Sequence, residues 1–175
     1  MDLKKYIRSI QDYPKKGILF RDITTLIKDK NAFKNCIDQM SNILSKLNYD
    51  KIASIESRGF IFASPLSYNL SKPCILLRKK NKLPADKYSV DFELEYGNAT
   101  LEMHKDSVGP KEKVIIVDDL IATGGTAEAA AKLIKMSGGE VAGFIFIINL
   151  FDLGGKKFLE DMGYKSFSLM DFPGH

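Results

Sequence analysis

The chain has 175 residues, of which 45% are hydrophobic and 27% are charged, a composition typical of one globular domain with its own core. No segment reaches the roughly 18 uninterrupted apolar residues that a membrane helix needs, so the sequence predicts a soluble protein without a membrane partner. A net charge of +4 is too small for a dedicated nucleic-acid binder. Two isolated cysteines and an N-terminus without the features of a secretory signal lead us to expect a cytoplasmic location.

The first 50 residues predict a helical N-terminal segment. Apolar residues recur at helical spacing from Leu3 to Ile10 and, more strongly, between residues 31 and 47, so we expect two amphipathic helices. The stretch between them contains a proline and a glycine and has no steady period, which predicts a loop with at most a short strand or turn. Because no linker or repeat interrupts the chain, we assign residues 1–175 to a single domain that residues 1–50 help to cap.

The remaining residues alternate between short aliphatic runs and helical tracts. The runs occupy residues 51–57, 73–80, 113–119, 140–150 and 164–170, and the tracts occupy residues 60–70, 126–139 and 155–163. This pattern predicts an α/β fold with a central, mostly parallel sheet of about five strands flanked by helices. Two alternating runs on either side of a glycine interrupt it between residues 90 and 106, which predicts a two-stranded flap within residues 84–106.

The run "VIIVDDLIATGGT" combines two acids with two adjacent glycines. Its strand, residues 114–117, brings Asp118 and Asp119 to the carboxyl edge of the sheet, where open α/β folds bind ligands. Residues 123–126 precede a helix that should begin at residue 126 or 127, and such a loop suits a terminal phosphate. It matches neither the P-loop nor the dinucleotide-binding fingerprint. Because neighbouring carboxylates would repel a second phosphate and accept hydrogen bonds from sugar hydroxyls, we predict a ribose 5-phosphate site.

On this run the chain resembles the type I phosphoribosyltransferases, which use phosphoribosyl pyrophosphate (PRPP). Further stretches carry the resemblance, and they are "KGILFRDITTL", "SIESRGFIF", "LLRKKNKLP" and "ELEYGNATLEMHKD". The resemblance implies the type I phosphoribosyltransferase fold, with residues 1–50 as an N-terminal hood and the flap closing over the site. Within this family the chain resembles the branch that acts on adenine. The implied reaction, a step of purine salvage, joins adenine to PRPP and gives AMP and pyrophosphate. Mg²⁺ is the implied cofactor, carried on PRPP without a direct protein ligand.

The resemblance also implies which residues contact PRPP. The 5-phosphate is expected on Ala122, Thr123, Gly124, Gly125 and Thr126. The pyrophosphate is expected on Ser57, Arg58, Gly59, Lys79 and Lys82. We expect Arg58 to offer a planar fork of donors to the leaving group, and Asp118 and Asp119 to stabilise positive charge on the ribose, so all three are candidate catalytic residues. Family members hold a non-proline cis peptide in this loop, expected at Glu56–Ser57 or beside it.

The flap and the hood are expected to complete the site. By resemblance, Glu95 passes a proton to or from the purine, Tyr96 closes over the reacting atoms, and Gly97 acts as a hinge. Adenine contacts are expected at Leu19, Phe20 and Arg21. Backbone carbonyls of that loop would accept a hydrogen bond from the 6-amino group, and the Arg21 side chain would stack on the ring. Enzymes for 6-oxopurines commonly use a lysine after the PRPP motif, but residues 141–155 contain no cation.

Two alternatives stay open at the level of sequence. A phosphoribosyltransferase for xanthine, hypoxanthine or guanine would keep the PRPP residues and differ in the base loop. A PRPP-sensing regulator would bind without reacting, although such regulators carry a separate DNA-binding segment, and the first 50 residues hold no credible helix-turn-helix. The resemblance further implies a homodimer, and we expect no nucleic-acid partner.

Overall fold

In the structure, a computed structural model that describes residues 1–94 and 97–175, residues 1–22 are mainly a β-hairpin. A 3₁₀ helix (Leu3–Tyr6) precedes the antiparallel strands β1 (Arg8–Gln11) and β2 (Leu19–Asp22). The predicted helix from Leu3 to Ile10 is therefore wrong. Strand pairing outweighs the local helical period, because β1 aligns along β2 and its Arg8 forms an ion pair with Asp22 at 2.5 Å.

Two helices follow the hairpin, α1 (Thr24–Ile27) and α2 (Lys30–Leu44). Asp29 begins α2 as an N-cap, since its Oδ1 accepts hydrogen bonds from the amides of Asn31 and Ala32 at 3.0 and 2.9 Å. The apolar face of α2 is buried in the core. The second predicted helix is thus confirmed, with a side chain occupying its free N-terminal amides.

A seven-stranded sheet forms the rest of the fold. Its elements are β3 (Lys51–Ile55), α3 (Arg58–Leu70), β4 (Cys74–Lys79), β5 (Lys87–Leu94), β6 (Gly97–His104), β7 (Lys113–Ile121), α4 (Gly125–Met136), β8 (Glu140–Leu150), a 3₁₀ turn (Phe151–Leu153), α5 (Gly155–Asp161) and β9 (Ser166–Phe172). The strand order is β5-β6-β4-β3-β7-β8-β9. The last five strands in this order are parallel, and the antiparallel pair β5 and β6 extends the sheet from β4. The predicted parallel sheet of about five strands and the two-stranded flap are both confirmed.

Both faces of the central parallel strands β3, β7 and β8 are largely buried. Along β7, Ile115 and Val117 pack into the core that contains α2 and α3, whereas Val114 and Ile116 pack into the core that contains α4 and α5. Alternate side chains of a strand point to opposite faces, so a strand covered on both sides must be apolar throughout. This explains the continuous aliphatic runs. Within the described part of the chain, none of the helices combines the length and the apolar character of a membrane span.

The strand β7 is longer than its sequence predicts. We expected it to end at residue 117, before the two acids, but it continues to Ile121. Pairing with the long neighbouring strand explains the extension, because Asp118 aligns with Phe146 and Leu120 aligns with Ile148. The two acids therefore lie within a strand. The helix α4 also begins slightly earlier than predicted, at Gly125.

Candidate active site

The loop between β7 and α4 forms a cup at the edge of the sheet. Gly124 has φ +96°, a conformation that side-chain-bearing residues rarely adopt, and α4 begins directly after it. In the described residues no side chain caps α4, in contrast to the Asp29 cap on α2. The first amides of α4 are therefore open to an anion, and the positive end of the helix dipole favours one there.

Gly155, the first residue of α5, supports this cup from behind. Its amide donates a hydrogen bond to the carbonyl oxygen of Ala122 at 2.9 Å. A Cβ atom at Gly155 would lie 2.3 Å from that oxygen and 2.8 Å from the amide nitrogen of Gly124, so only glycine fits. Sequence reasoning missed this residue. Its only local signal is the pair Gly154–Gly155, which any tight turn would also produce.

Asp118 and Asp119 lie between the cup and Arg58. Asp119 is 3% exposed, and its Oδ2 is 2.9 Å from Nε of Arg58. Burial raises the pKa of both carboxyls. The charge of Asp119 raises the pKa of Asp118 further, whereas Arg58 partly offsets the rise at Asp119. A positive charge beside these two buried acids would stabilise their ionised forms. The site therefore favours a ligand on which positive charge develops.

The loop from β3 to α3 places Arg58 at the same edge. The structure has a cis peptide at Glu56–Ser57, where the sequence led us to expect one. Within the described residues α3 has no side-chain cap, so this is a second open helix N-terminus. Glycine is required at position 59, because a Cβ atom there would lie 2.9 Å from the carbonyl oxygen of Val117. The first turn of α3 thereby packs closely against the end of β7.

The cationic turn, residues 78–82, faces the same region. Its Lys79, Lys80 and Lys82 line a cavity of about 750 Å³, which we call the cationic cavity. Ser57, Arg58 and Asp119 line it as well. The structure thus brings the expected Lys79 and Lys82 together with the α3 loop, and it adds Lys80, which we had not selected.

Three cavities meet at Arg58. The cup cavity, of about 350 Å³, is lined by the acids and residues 120–127, and it shares Arg58, Asp118 and Asp119 with the cationic cavity. The hood cavity, of about 250 Å³, is lined by residues 17–21 and by distant residues at the end of β8 and after β8 and β9. It shares Arg58, Leu120 and Ala122 with the cup cavity. A ligand with three chemically different parts can therefore place one part in each cavity, with the parts meeting near Arg58.

The hood cavity contains the three residues expected to contact a base. Leu19, Phe20 and Arg21 all line it. The Arg21 guanidinium is hydrogen-bonded to Ser9 Oγ at 2.5 Å and to the Pro173 carbonyl at 2.8 Å, and it lies 4.7 Å from the ring centre of Phe172. Stacking of Arg21 on a base stays a prediction. Sequence reasoning missed the other walls, Leu150, Leu153 and Gly174, which long-range folding brings here.

The flap lies over the cup. Glu93 and Leu94, at the end of β5, line the cup cavity, and the Glu93 carbonyl would lie 3.1 Å from a Cβ atom on Gly125. Gly97, the expected hinge, begins β6 with φ +115°. Glu95 and Tyr96, the expected proton carrier and closing aromatic, lie outside the described residues.

The comparisons with known proteins agree with this arrangement. A family profile described as the phosphoribosyl transferase domain matches residues 23–172. An adenine phosphoribosyltransferase of Pelagibacter ubique (strain HTCC1062) is 66% identical over 175 residues, which cover 100% of both chains. The chain belongs to the adenine phosphoribosyltransferase family. Another adenine phosphoribosyltransferase, from Lachnoclostridium phytofermentans, is 50% identical over 172 residues, 98% of each chain.

Solved adenine phosphoribosyltransferases share the fold. The crystal structure of the enzyme from Thermoanaerobacter pseudethanolicus has a TM-score of 0.93 and 47% identity and covers 98% of each chain. The enzyme from Saccharomyces cerevisiae, at 31% identity, has a TM-score of 0.88 over 97% of each chain, and its structure contains adenine and an imino-altritol bisphosphate. The resemblance found in the sequence, and the type I phosphoribosyltransferase fold that it implies, are therefore confirmed.

Proposed function

We propose that this site transfers the 5-phosphoribosyl group of PRPP to adenine, giving AMP and pyrophosphate in purine salvage. The observation that carries the proposal is the meeting of three cavities at Arg58. PRPP and adenine together have three parts around the reacting carbon, a phosphate-bearing ribose, a pyrophosphate and a base. Each part matches the chemistry of one cavity.

PRPP occupies the cup and cationic cavities. The open amides of residues 123–126 bind the 5-phosphate, and Ala122 forms the adjoining wall. Arg58, with the amides of Ser57 and Gly59, binds the pyrophosphate, and Lys79 and Lys82 neutralise its remaining charge. Mg²⁺ enters as part of the PRPP substrate and makes the pyrophosphate a better leaving group.

The two acids act on the ribose. As the bond to pyrophosphate breaks, positive charge develops at the anomeric carbon and ring oxygen. Carboxylates of Asp118 and Asp119 lower the energy of that charge more than the energy of neutral bound ribose, which accelerates the reaction. Burial raises the pKa of both carboxyls in the free protein. We expect the positive charge that develops on the bound ribose to lower these pKa values again and so to favour the ionised carboxylates.

The hood cavity holds the base. Backbone carbonyls around Leu19, Phe20 and Arg21 accept a hydrogen bond from the 6-amino group, and the stretch 141–155 contains no cation that would favour a 6-oxo group. Glu95 accepts the proton that the purine loses as its new bond forms, and Tyr96 excludes water.

We also propose a cytoplasmic homodimer, which the family resemblance and the reduced cysteines support.

Nucleotide formation from Mg²⁺-PRPP tests the proposal when adenine, hypoxanthine, guanine and xanthine are offered in parallel and pyrophosphate release is followed. We expect AMP as the only nucleotide formed at a substantial rate. Product from a 6-oxopurine alone would retain the chemistry and refute the choice of base. PRPP binding without any product would leave only a sensor role. In an active protein, Glu95→Gln should then lower kcat about 100-fold, the contribution typical of a general acid or base.

A further inference from the structure

A buried carboxylate lies behind the cationic turn and has no part in the chemistry described above. Glu102, in β6, is 3% exposed. Nζ of Lys87 is 3.9 Å from its Oε2, at the outer limit of an ion pair. A buried carboxylate is costly unless hydrogen bonds compensate it, so the other contacts of Glu102 indicate its role.

Those contacts join the cationic turn to the flap. Oε2 of Glu102 accepts a hydrogen bond from the amide of Asn81 at 3.1 Å, and Oε1 accepts one from Oγ of Ser89 at 3.2 Å. Asn81 is the residue between Lys80 and Lys82, and its φ of +64° is unusual for a residue with a side chain. The hydrogen bond that Glu102 accepts therefore holds the amide of this unusual residue in the turn, while the bond from Ser89 ties the same carboxylate to β5.

A second carboxylate holds the start of the same turn. Oε2 of Glu56 accepts hydrogen bonds from the Lys79 amide at 2.8 Å and from Nε of Arg78 at 3.2 Å. Arg78 in turn donates to the Lys82 carbonyl at 3.4 Å, which links the two ends of the turn. Two negative charges, one of them on the cavity-lining Glu56, weaken the attraction of the cationic cavity for an anion. Their position is better explained by the shape they give the turn than by their charge.

We propose that Glu102 is a positioning residue, which holds the cationic turn so that Lys79 and Lys82 face the pyrophosphate of PRPP, with Glu56 fixing the start of the turn. The inference rests on the proposed function, because pyrophosphate is the ligand assigned to the cationic cavity. It assigns to Glu102 no contact with the substrate. Glu102 affects pyrophosphate binding only by fixing the backbone of Asn81.

Two variants of Glu102 separate position from charge. Glu102→Gln loses the charge but keeps the length, an acceptor for the Asn81 amide and a donor for Ser89. Glu102→Asp keeps the charge but is one methylene too short to reach both partners. We expect Glu102→Asp to raise the KM for PRPP about tenfold, the loss expected for one hydrogen bond to a charged group, and to change the KM for adenine less than about twofold. Glu102→Gln should stay within about threefold of the wild type for both substrates.

Calorimetric binding of Mg²⁺-pyrophosphate provides a readout that does not depend on turnover. We expect Glu102→Asp to weaken this binding by the same factor as the KM for PRPP. Glu140→Asp, at an exposed position in β8, is the matched control and should change neither quantity. If Glu102→Asp does not fold, Ser89→Ala removes one contact of the same carboxylate and should raise the KM for PRPP about threefold; an unchanged KM would then count against the inference.

The opposite order of effects, with Glu102→Gln impaired and Glu102→Asp normal, would show that charge is what matters and would overturn the inference. A lower unfolding temperature with unchanged KM and pyrophosphate affinity would overturn it too, since that is the result of a purely structural role. If the wild type forms no nucleotide with any purine, the proposed function fails. Pyrophosphate binding by the wild type and both variants still tests the positioning role in that case.

Discussion

The cup cavity and the hood cavity meet at Arg58 but are assembled differently. The cup comes almost entirely from one continuous segment, residues 118–127, with Gly155 behind it. The hood cavity shares Arg58, Leu120 and Ala122 with the cup and draws its other walls from three segments far apart in the chain, at residues 17–21, 150–153 and 174–175. A continuous segment fixes ligand geometry through one local backbone conformation. Walls from separate segments can be altered one at a time, so the phosphate end should tolerate substitution far less than the base end.

The largest effect should come from the acids beside the cup. Asp119→Asn removes a buried carboxylate at the proposed ribose site, and we expect kcat to fall about 100- to 1,000-fold with little change in the KM for adenine. Steady-state kinetics with both substrates measure this. Asp161→Asn, in an exposed pair with Lys157, serves as the control. A fall in kcat of less than tenfold would mean that the acids beside the cup are not the main contributors to catalysis.

Gly155→Ala tests the cup through its support. The added methyl group would overlap the Ala122 carbonyl oxygen, so the loop must shift, and a shift of about 1 Å in a binding loop can cost on the order of 100-fold in kcat/KM. We expect that loss for PRPP. At Gly109 a Cβ atom would make only an ordinary contact at 3.5 Å, so Gly109→Ala is the matched control. Equal, small effects from both changes would contradict a rigid cup.

A substitution behind the hood cavity should have a smaller and more selective effect. Oδ1 of Asp152 accepts a hydrogen bond from the Gly174 amide at 2.6 Å, which holds the last wall of that cavity. We expect Asp152→Ala to raise the KM for adenine about threefold to fivefold and to leave the KM for PRPP unchanged, as for the loss of one hydrogen bond. A larger change for PRPP than for adenine would show that the two cavities are not independent.

The smallest effect concerns stability. Burial and the charge of Asp119 raise the pKa of Asp118 above its ordinary value of 3.8, so the folded protein binds this proton more tightly than the unfolded chain does. The free energy of unfolding therefore decreases as pH rises from 3.8 through the raised pKa. Asp118→Asn removes that decrease, and the Tm of the variant should exceed that of the wild type by an amount that grows toward neutral pH. Each kcal/mol corresponds to roughly 2–4 °C.

Thermal unfolding of the substrate-free protein across this pH range measures the difference. Asp106→Asn, at an exposed position, is the control for the loss of a carboxylate. A Tm difference for Asp118→Asn that shrinks as pH rises would reverse the sign and contradict the raised pKa.

Local patterns predicted most of the parallel sheet and the cup, and non-local contacts account for the errors. Aliphatic runs identify strands buried on both faces, and "DDLIATGGT" carries its own turn and helix start. The hairpin at Arg8 depends on a partner strand, and the extension of β7 to Ile121 depends on β8. Gly155 and Gly174 reach the site only through the fold, and no spacing in the sequence places them there. Sequence thus predicts local geometry well where the segment that forms it is continuous in the chain.

Two of the helices that begin without a capping side chain, α3 and α4, have a further consequence. α2 satisfies its first amides with its own Asp29, whereas α3 and α4 leave theirs to solvent until a ligand arrives. PRPP bound as we propose would act as the missing cap of both helices at once, and the substrate would become a structural component of the folded protein. Amide hydrogens at the starts of α3 and α4 should exchange slowly only when the site is filled, and saturation at 100 times the Kd should stabilise the fold by about 2.7 kcal/mol.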